Sequence, residues 1–172
     1  MALHDLRQNT TFVVKCTALN RYIVAFQGKM ADGSAITGAA GTVSAVKLGA
    51  GALTSGESQL QGSTIQFTAQ ANTGYEIADW KLNGNAVTPT ASGTYQIPSL
   101  NGNAALVVTF RQQPKIMLSA GKNGTLTCGS HTDSSFYLPC GSKDALTFTA
   151  QPKSGYRVAS WMVNGSTVSG SA

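Results

Sequence analysis

The stretch STIQFTA, from Ser63, alternates without a break: Ile65, Phe67 and Ala69 fall on one side, Thr64, Gln66 and Thr68 on the other. A period of two, carried by β-branched and aromatic residues, predicts a half-buried strand. The stretch DALTFTA, from Asp144, repeats the pattern with Leu146, Phe148 and Ala150. Each is followed by a polar turn, QANTGY or QPKSGY, in which Gly74 and Gly155 are expected to take positive φ. The next strand turns Tyr75, Ile77, Trp80 and Leu82 inward, matched by Tyr156, Val158, Trp161 and Val163. Three residues separate Ile77 from Trp80, so the alternation slips by one, and it slips again in the second copy. That slip predicts a β-bulge. Asn83-Gly84 and Asn164-Gly165 then predict tight hairpin turns. No stretch carries a sustained helical period.

The two passages stand 81 residues apart, Phe67 against Phe148, and the correspondence extends beyond them. YIVAFQG from Tyr22 matches KIMLSAG from Lys115, and AGTVSA from Ala40 matches NGTLTC from Asn123. The first copy carries the extra residues KMADGSAITG, which read as a surface loop. It closes with TYQIPSLNGNAALVVTF, a final strand with Leu106, Val108 and Phe110 on one face. Residues 114–172 hold no such strand. The N-terminal residues LHDLRQNTTFVVKCT do resemble it, through Leu6/Leu100, Asn9/Asn103 and Val13-Val14/Val107-Val108. The reading is therefore residues 1–19 as the terminal strand of a preceding repeat, 20–113 as a complete module, and 114–172 as a second module lacking its last strand. Tandem arrays of small units have this character.

The order of a strand, a G-T strand, an F-T-A strand, G-Y, a W-x-x-N-G segment and a closing V-V-x-F strand resembles the divergent B-repeat family of bacterial surface proteins. That family takes its name from the B-repeats of internalin B. The resemblance implies an all-β or β-rich fold: tandem, small, β-grasp-like modules of about five strands with little helix. It also implies a place on the cell surface or outside the cell, and no catalytic residues.

Composition narrows the picture further. The chain has 172 residues, 42% hydrophobic, enough to build cores and to exclude the fully disordered class. Only 11% are charged, so hydroxyls and amides carry its solubility. The net charge of +5 comes from basic residues scattered singly, with no cluster or basic helix, so no nucleic-acid partner is expected. No apolar run approaches the roughly 18 residues needed to cross a bilayer, so no membrane insertion is expected here.

The candidate chemistry is sparse. Trp80, Trp161, Tyr75 and Tyr156 have the aromatic character of sugar-stacking platforms, but they share a face with Ile77 and Leu82. With Phe67 and Phe148 they are read as structural, filling equivalent cores. The acids form no repeated pair suited to general acid–base work. Glu76 and Asp79 become Arg157 and Ser160 in the second copy and are read as surface residues. Neither a catalytic group, a metal site nor a cofactor is assigned. Cys128 and Cys140 bracket the loop CGSHTDSSFYLPC and are expected to form a disulfide, with two alternatives: zinc held by Cys128, His131 and Cys140, assisted by Asp133, or free thiols. Cys16 aligns with Phe110 and is expected to be a buried thiol.

These readings converge on a non-catalytic spacer, a stalk repeat that projects other domains from the envelope, with neighbouring repeats as its partners. The alternative is an adhesive module that binds host glycan, protein or acidic polymer through the segments Lys29–Thr37 and His131–Tyr137. The segment Thr10–Thr17, with Phe12, Val14 and Cys16 as its apolar face, is expected to be a strand. It would fill the place of the strand missing from the second module, supporting head-to-tail self-association, or else cap the sheet of the first module.

Overall fold

The alternating segments form strands in a computed structural model that describes residues 11, 13–36 and 38–169. The first module holds β1 (Arg21–Met30), β2 (Gly41–Lys47), β3 (Gly51–Leu53), β4 (Glu57–Leu60), β5 (Ile65–Ala71), β6 (Tyr75–Leu82), β7 (Asn85–Ala86), β8 (Thr94–Ile97) and β9 (Ala104–Gln112). They make two sheets, one ordered β4-β1-β9-β6-β7 and one ordered β3-β2-β5-β8. In the larger sheet β1 and β9 run parallel at the centre, from Val24 opposite Ala104 to Met30 opposite Phe110. Antiparallel β4 and β6 flank them. A central parallel pair between antiparallel neighbours is the arrangement of a β-grasp sheet. The face that a helix covers in a grasp fold is covered here by the second sheet, and no described residue is helical.

The alternation in β5 does what its period requires. Ile65, Phe67 and Ala69 point into the core, where they meet Val24 and Ala45, Trp80 from β6, and Leu106, Val108 and Phe110 from β9. Phe26 packs edge-on against Phe67, with ring centroids 6.0 Å apart. The slip between Ile77 and Trp80 is a break in the β6–β9 register between Ile77 and Asp79. The extra residue leaves Asp79 opposite Thr109, whose hydroxyl donates to its carboxylate at 3.0 Å. Asn83 and Gly84 both take positive φ, at 49° and 82°, and Asn164 and Gly165 do the same at 50° and 82°. Two consecutive positive φ values define the hairpin turn whose twist suits antiparallel strands.

The repeated G-T also has a steric cause. A Cβ on Gly41 would collide with the Gln70 carbonyl on the paired strand, and one on Gly124 would lie 3.0 Å from the Gln151 carbonyl. The segment Lys29–Thr37 differs from the predicted loop. Lys29 and Met30 belong to β1, Lys29 bridges to Ala35, and Ile36 packs against the core. Thr37 lies outside the described residues. What projects is the short turn Ala31–Ser34, in which Asp32 accepts hydrogen bonds from the Ser34 hydroxyl at 2.7 Å and its backbone N–H at 2.9 Å.

The second module holds β10 (Lys115–Met117), β11 (Gly124–Cys128), β12 (Ser135–Tyr137), β13 (Phe148–Pro152), β14 (Trp161–Val163) and β15 (Ser166–Val168). They pair as three separate ladders, β10-β12, β11-β13 and β14-β15. A small core gathers Leu118, Cys128 and Phe136. The cores are not equivalent, which corrects the expectation for Phe148 and Tyr156. Phe148 is 38% exposed and Tyr156 56%, while Trp161 is half-buried against 4% exposure for Trp80. The reason is the covering strand: β9 seals the core in the first module, and no described residue of the second corresponds to it. Without that partner Tyr156–Ser160 form no strand, so the second bulge does not form either.

The predicted strand Thr10–Thr17 also needs correction. Its described residues, Thr11 and Val13–Thr17, pair with no strand, and Val13 and Val14 are 86% and 82% exposed. Thr10 and Phe12 lie outside the described residues. Cys16 is exposed rather than buried. An edge-pairing residue is buried only when a sheet receives it, and among the described residues none does.

Candidate functional site

Strand β9 ends at Gln112 and β10 begins at Lys115, so the two modules are joined through Gln113 and Pro114 alone. Proline fixes its own φ and offers no N–H, which makes a short link stiffer still. Around it the ends of β6 and β9 meet the loop after β12. The Glu76 carboxylate is the centre of this joint. One of its oxygens, Oε1, receives the Arg111 guanidinium through both Nε and Nη2 at 2.6 Å. The other, Oε2, accepts from the Cys140 backbone N–H at 2.9 Å and the Gln113 side-chain amide at 3.3 Å. Arg111 Nη2 also reaches the Cys140 carbonyl at 3.5 Å, and the Cys140 thiol donates to the Gln112 carbonyl at 3.1 Å.

The electrostatics follow from this geometry. The Cys140 N–H, with Arg111 and Gln113 adding to it against the opposing effect of burial, holds the Glu76 carboxyl below the ordinary glutamate range. Burial and then the adjacent Glu76 charge push the Cys140 thiol up, keeping it protonated. Packing completes the contact. Gly74 has φ of 86°, its carbonyl accepts from Gln113 N–H at 2.8 Å, and the Tyr137 ring lies where a Cβ would stand, 2.8 Å away. Lys115 Nζ sits 5.6 Å above the same ring. Leu138 N–H donates to the Pro114 carbonyl at 2.9 Å, tying the link to the loop.

The cysteines are therefore placed differently from the sequence expectation. Cys128 is buried in the second module's core and Cys140 belongs to the joint; all three cysteines are free. The expected Cys128–Cys140 disulfide is not formed, because the loop between them is spent on β12 and on reaching Glu76. The same separation disperses the zinc alternative. His131 instead stacks flat on Phe136, with centroids 3.9 Å apart, and its backbone bridges Cys128. Of the second proposed binding segment, His131 is held by that bridge, the Ser134 carbonyl accepts from Leu118 N–H and Ser135–Tyr137 form β12, which leaves Thr132 and Asp133 as its exposed part.

Of the six aromatic residues singled out in the sequence, Phe67 and Trp80 are buried, Tyr75 and Trp161 half-buried, and Phe148 and Tyr156 exposed. Sequence reasoning missed the joint. The signal was present in Glu76, which becomes Arg157 while its neighbours repeat: a position free to reverse charge lies outside the shared core.

The fold and the joint define a tandem β-repeat. The chain matches the family model of the divergent InlB B-repeat domain twice, over residues 34–114 and 115–172, and it belongs to that family. No curated protein sequence matches it at a significant level. Among solved structures, it is similar to the C-terminal fragment of the pilus adhesin SpaC from Lactobacillus rhamnosus GG, at 14% identity and a TM-score of 0.33. That likeness covers 81% of this chain and 78% of the other. No helix among the described residues is long and apolar enough to cross a membrane.

Proposed function

We propose that this chain is a non-catalytic spacer of an extracellular or cell-surface protein, and that its two modules act as one stiff segment. The observation that carries this reading is the clasp of Glu76 on the Cys140 N–H across a two-residue link. A flexible link lets neighbouring modules swing, and reach then grows only with the square root of length. A link pinned by a carboxylate and a packed aromatic ring adds each module's full length to the span. Repetition of a stiff unit with a defined neighbour interface is how linear arrays build reach.

The test is display on a cell surface, with the two modules placed between an anchor and an epitope tag. The native pair should expose the tag to a bulky probe better than a Gly/Ser linker of equal residue number. Equal access through both linkers would refute the spacer reading. Cell or glycan binding that disappears when the exposed segments Ala31–Ser34 and Thr132–Asp133 are replaced would establish an adhesive module instead.

A further inference from the structure

Tension along the chain meets the first module at two strands. The chain enters at Asn20, which leads into β1, and leaves at Gln113, which follows β9. These strands are neighbours at the centre of the larger sheet and run parallel, from Val24 opposite Ala104 to Met30 opposite Phe110. Parallel neighbours begin at one end of their ladder and finish at the other. A pull on Asn20 and Gln113 in opposite directions therefore slides β1 along β9, and the bonds between them lie across the load. Bonds loaded in this way share the force and break together. A pull that peels one strand from another breaks them one at a time.

The ladder is extended at both ends. The Ile23 N–H donates to the Asn103 side-chain oxygen at 2.9 Å, ahead of the first strand pair. Behind the last pair, the Ala31 N–H donates to the Phe110 carbonyl at 2.8 Å. On its other edge β9 is held by β6, from Tyr75 opposite Gln112 to Leu82 opposite Leu106. The start of β9 is pinned by Asn83, whose side chain accepts from Ala105 N–H at 2.8 Å and donates to the Asn103 carbonyl at 3.0 Å. Leu106, Val108 and Phe110 are buried, so sliding β9 would drag three side chains through the core. The strand by which the chain leaves is anchored on both edges and on one face.

We propose a further function for the first module: it is a mechanical clamp that bears tension along the chain through the β1–β9 ladder. This function rests on the spacer reading, since a segment that holds other domains away from an envelope transmits any pull on them.

Single-molecule force spectroscopy of the whole chain tests the clamp. With handles at the two chain ends, unfolding of residues 21–112 is recognised by a length gain of roughly 300 Å. It should need about twice the force found when one handle is moved to residue 61 through a bio-orthogonal side chain. Asn20 and Gln61 lie at the same end of the antiparallel β1–β4 pair, so the second pull peels. Asn103→Ala removes one bond of the clamp at an exposed position. It should lower the force along the chain and leave the peeling force unchanged. Equal forces in the two directions would overturn the clamp, as would an Asn103→Ala variant that lowers neither force or both alike. A low force in both directions would leave the spacer reading standing, because surface display tests reach and not strength.

Discussion

The Glu76 carboxylate of one module accepts a hydrogen bond from the backbone N–H of Cys140 in the next, at 2.9 Å and across 64 residues of sequence. A backbone donor cannot rotate away as a side chain can, so it fixes the approach of the second module and not merely its proximity. The Arg111 guanidinium on the same carboxylate is 44% exposed, so its ion pair is screened and contributes less than its 2.6 Å separation suggests. Replacing Glu76 with Ala should remove about 1 kcal/mol of coupling between the modules while each keeps its own fold. Glu76→Gln should lose less, because an amide oxygen still accepts from Cys140.

The same contact sets a pH dependence. A carboxyl whose native value lies below its unfolded one stabilises the native state at higher pH. The Glu76 contribution should be complete above its ordinary value of 4.5 and should fade as pH drops through the lowered native value. Protection of the Cys140 amide, its intrinsic exchange rate divided by the observed one at each pH, should fall from pH 6 to pH 3 in step with Glu76 protonation. An unchanged profile in Glu76→Gln identifies the titrating group.

Gly74→Ala should damage the joint as well as the turn. Its φ of 86° disfavours any residue with a Cβ, and that atom would meet the Tyr137 ring at 2.8 Å. The expected cost is about 1–3 kcal/mol in thermal or denaturant unfolding. Tyr137→Ala in the same background should recover the steric part, leaving only the backbone strain.

The two tryptophans should no longer be interchangeable. Trp80→Ala should cost about 3–5 kcal/mol, as for other fully buried aromatics. Trp161→Ala, at a half-buried position, should cost roughly 1–2 kcal/mol, in keeping with its smaller buried area.

Much of the first module was legible because its causes are local. Period two in β5, the slip between Ile77 and Trp80, and the Asn-Gly turns each write a pattern over a few residues. The second module shows the limit of that reasoning. Phe148 and Tyr156 repeat Phe67 and Tyr75 in sequence, but burial belongs to the strand that covers a residue as much as to the residue itself. The joint was illegible for another reason. Glu76, Arg111 and Cys140 are brought together by tertiary structure, and no spacing along the chain encodes their meeting. The cysteine spacing misled in the same way: two thiols in one loop suggested a bridge, while the fold uses one for a core and the other for a neighbour.

Thiol chemistry checks that correction. Mass spectrometry after alkylation in denaturant should find three free thiols. Under native conditions exposed Cys16 should react first, Cys140 slowly because its thiol is held protonated and hydrogen-bonded, and buried Cys128 last.

The stiffness of the pair is tested most directly by ¹⁵N relaxation of both modules in one sample, at a concentration where the chain is monomeric. Glu76 clasped on Cys140 requires a single rotational correlation time and one diffusion tensor fitting residues 21–112 and 115–168 together. In Glu76→Ala the two sets should separate into faster, independent values. Independent tumbling already present in the native chain, unchanged by Glu76→Ala, would contradict the account.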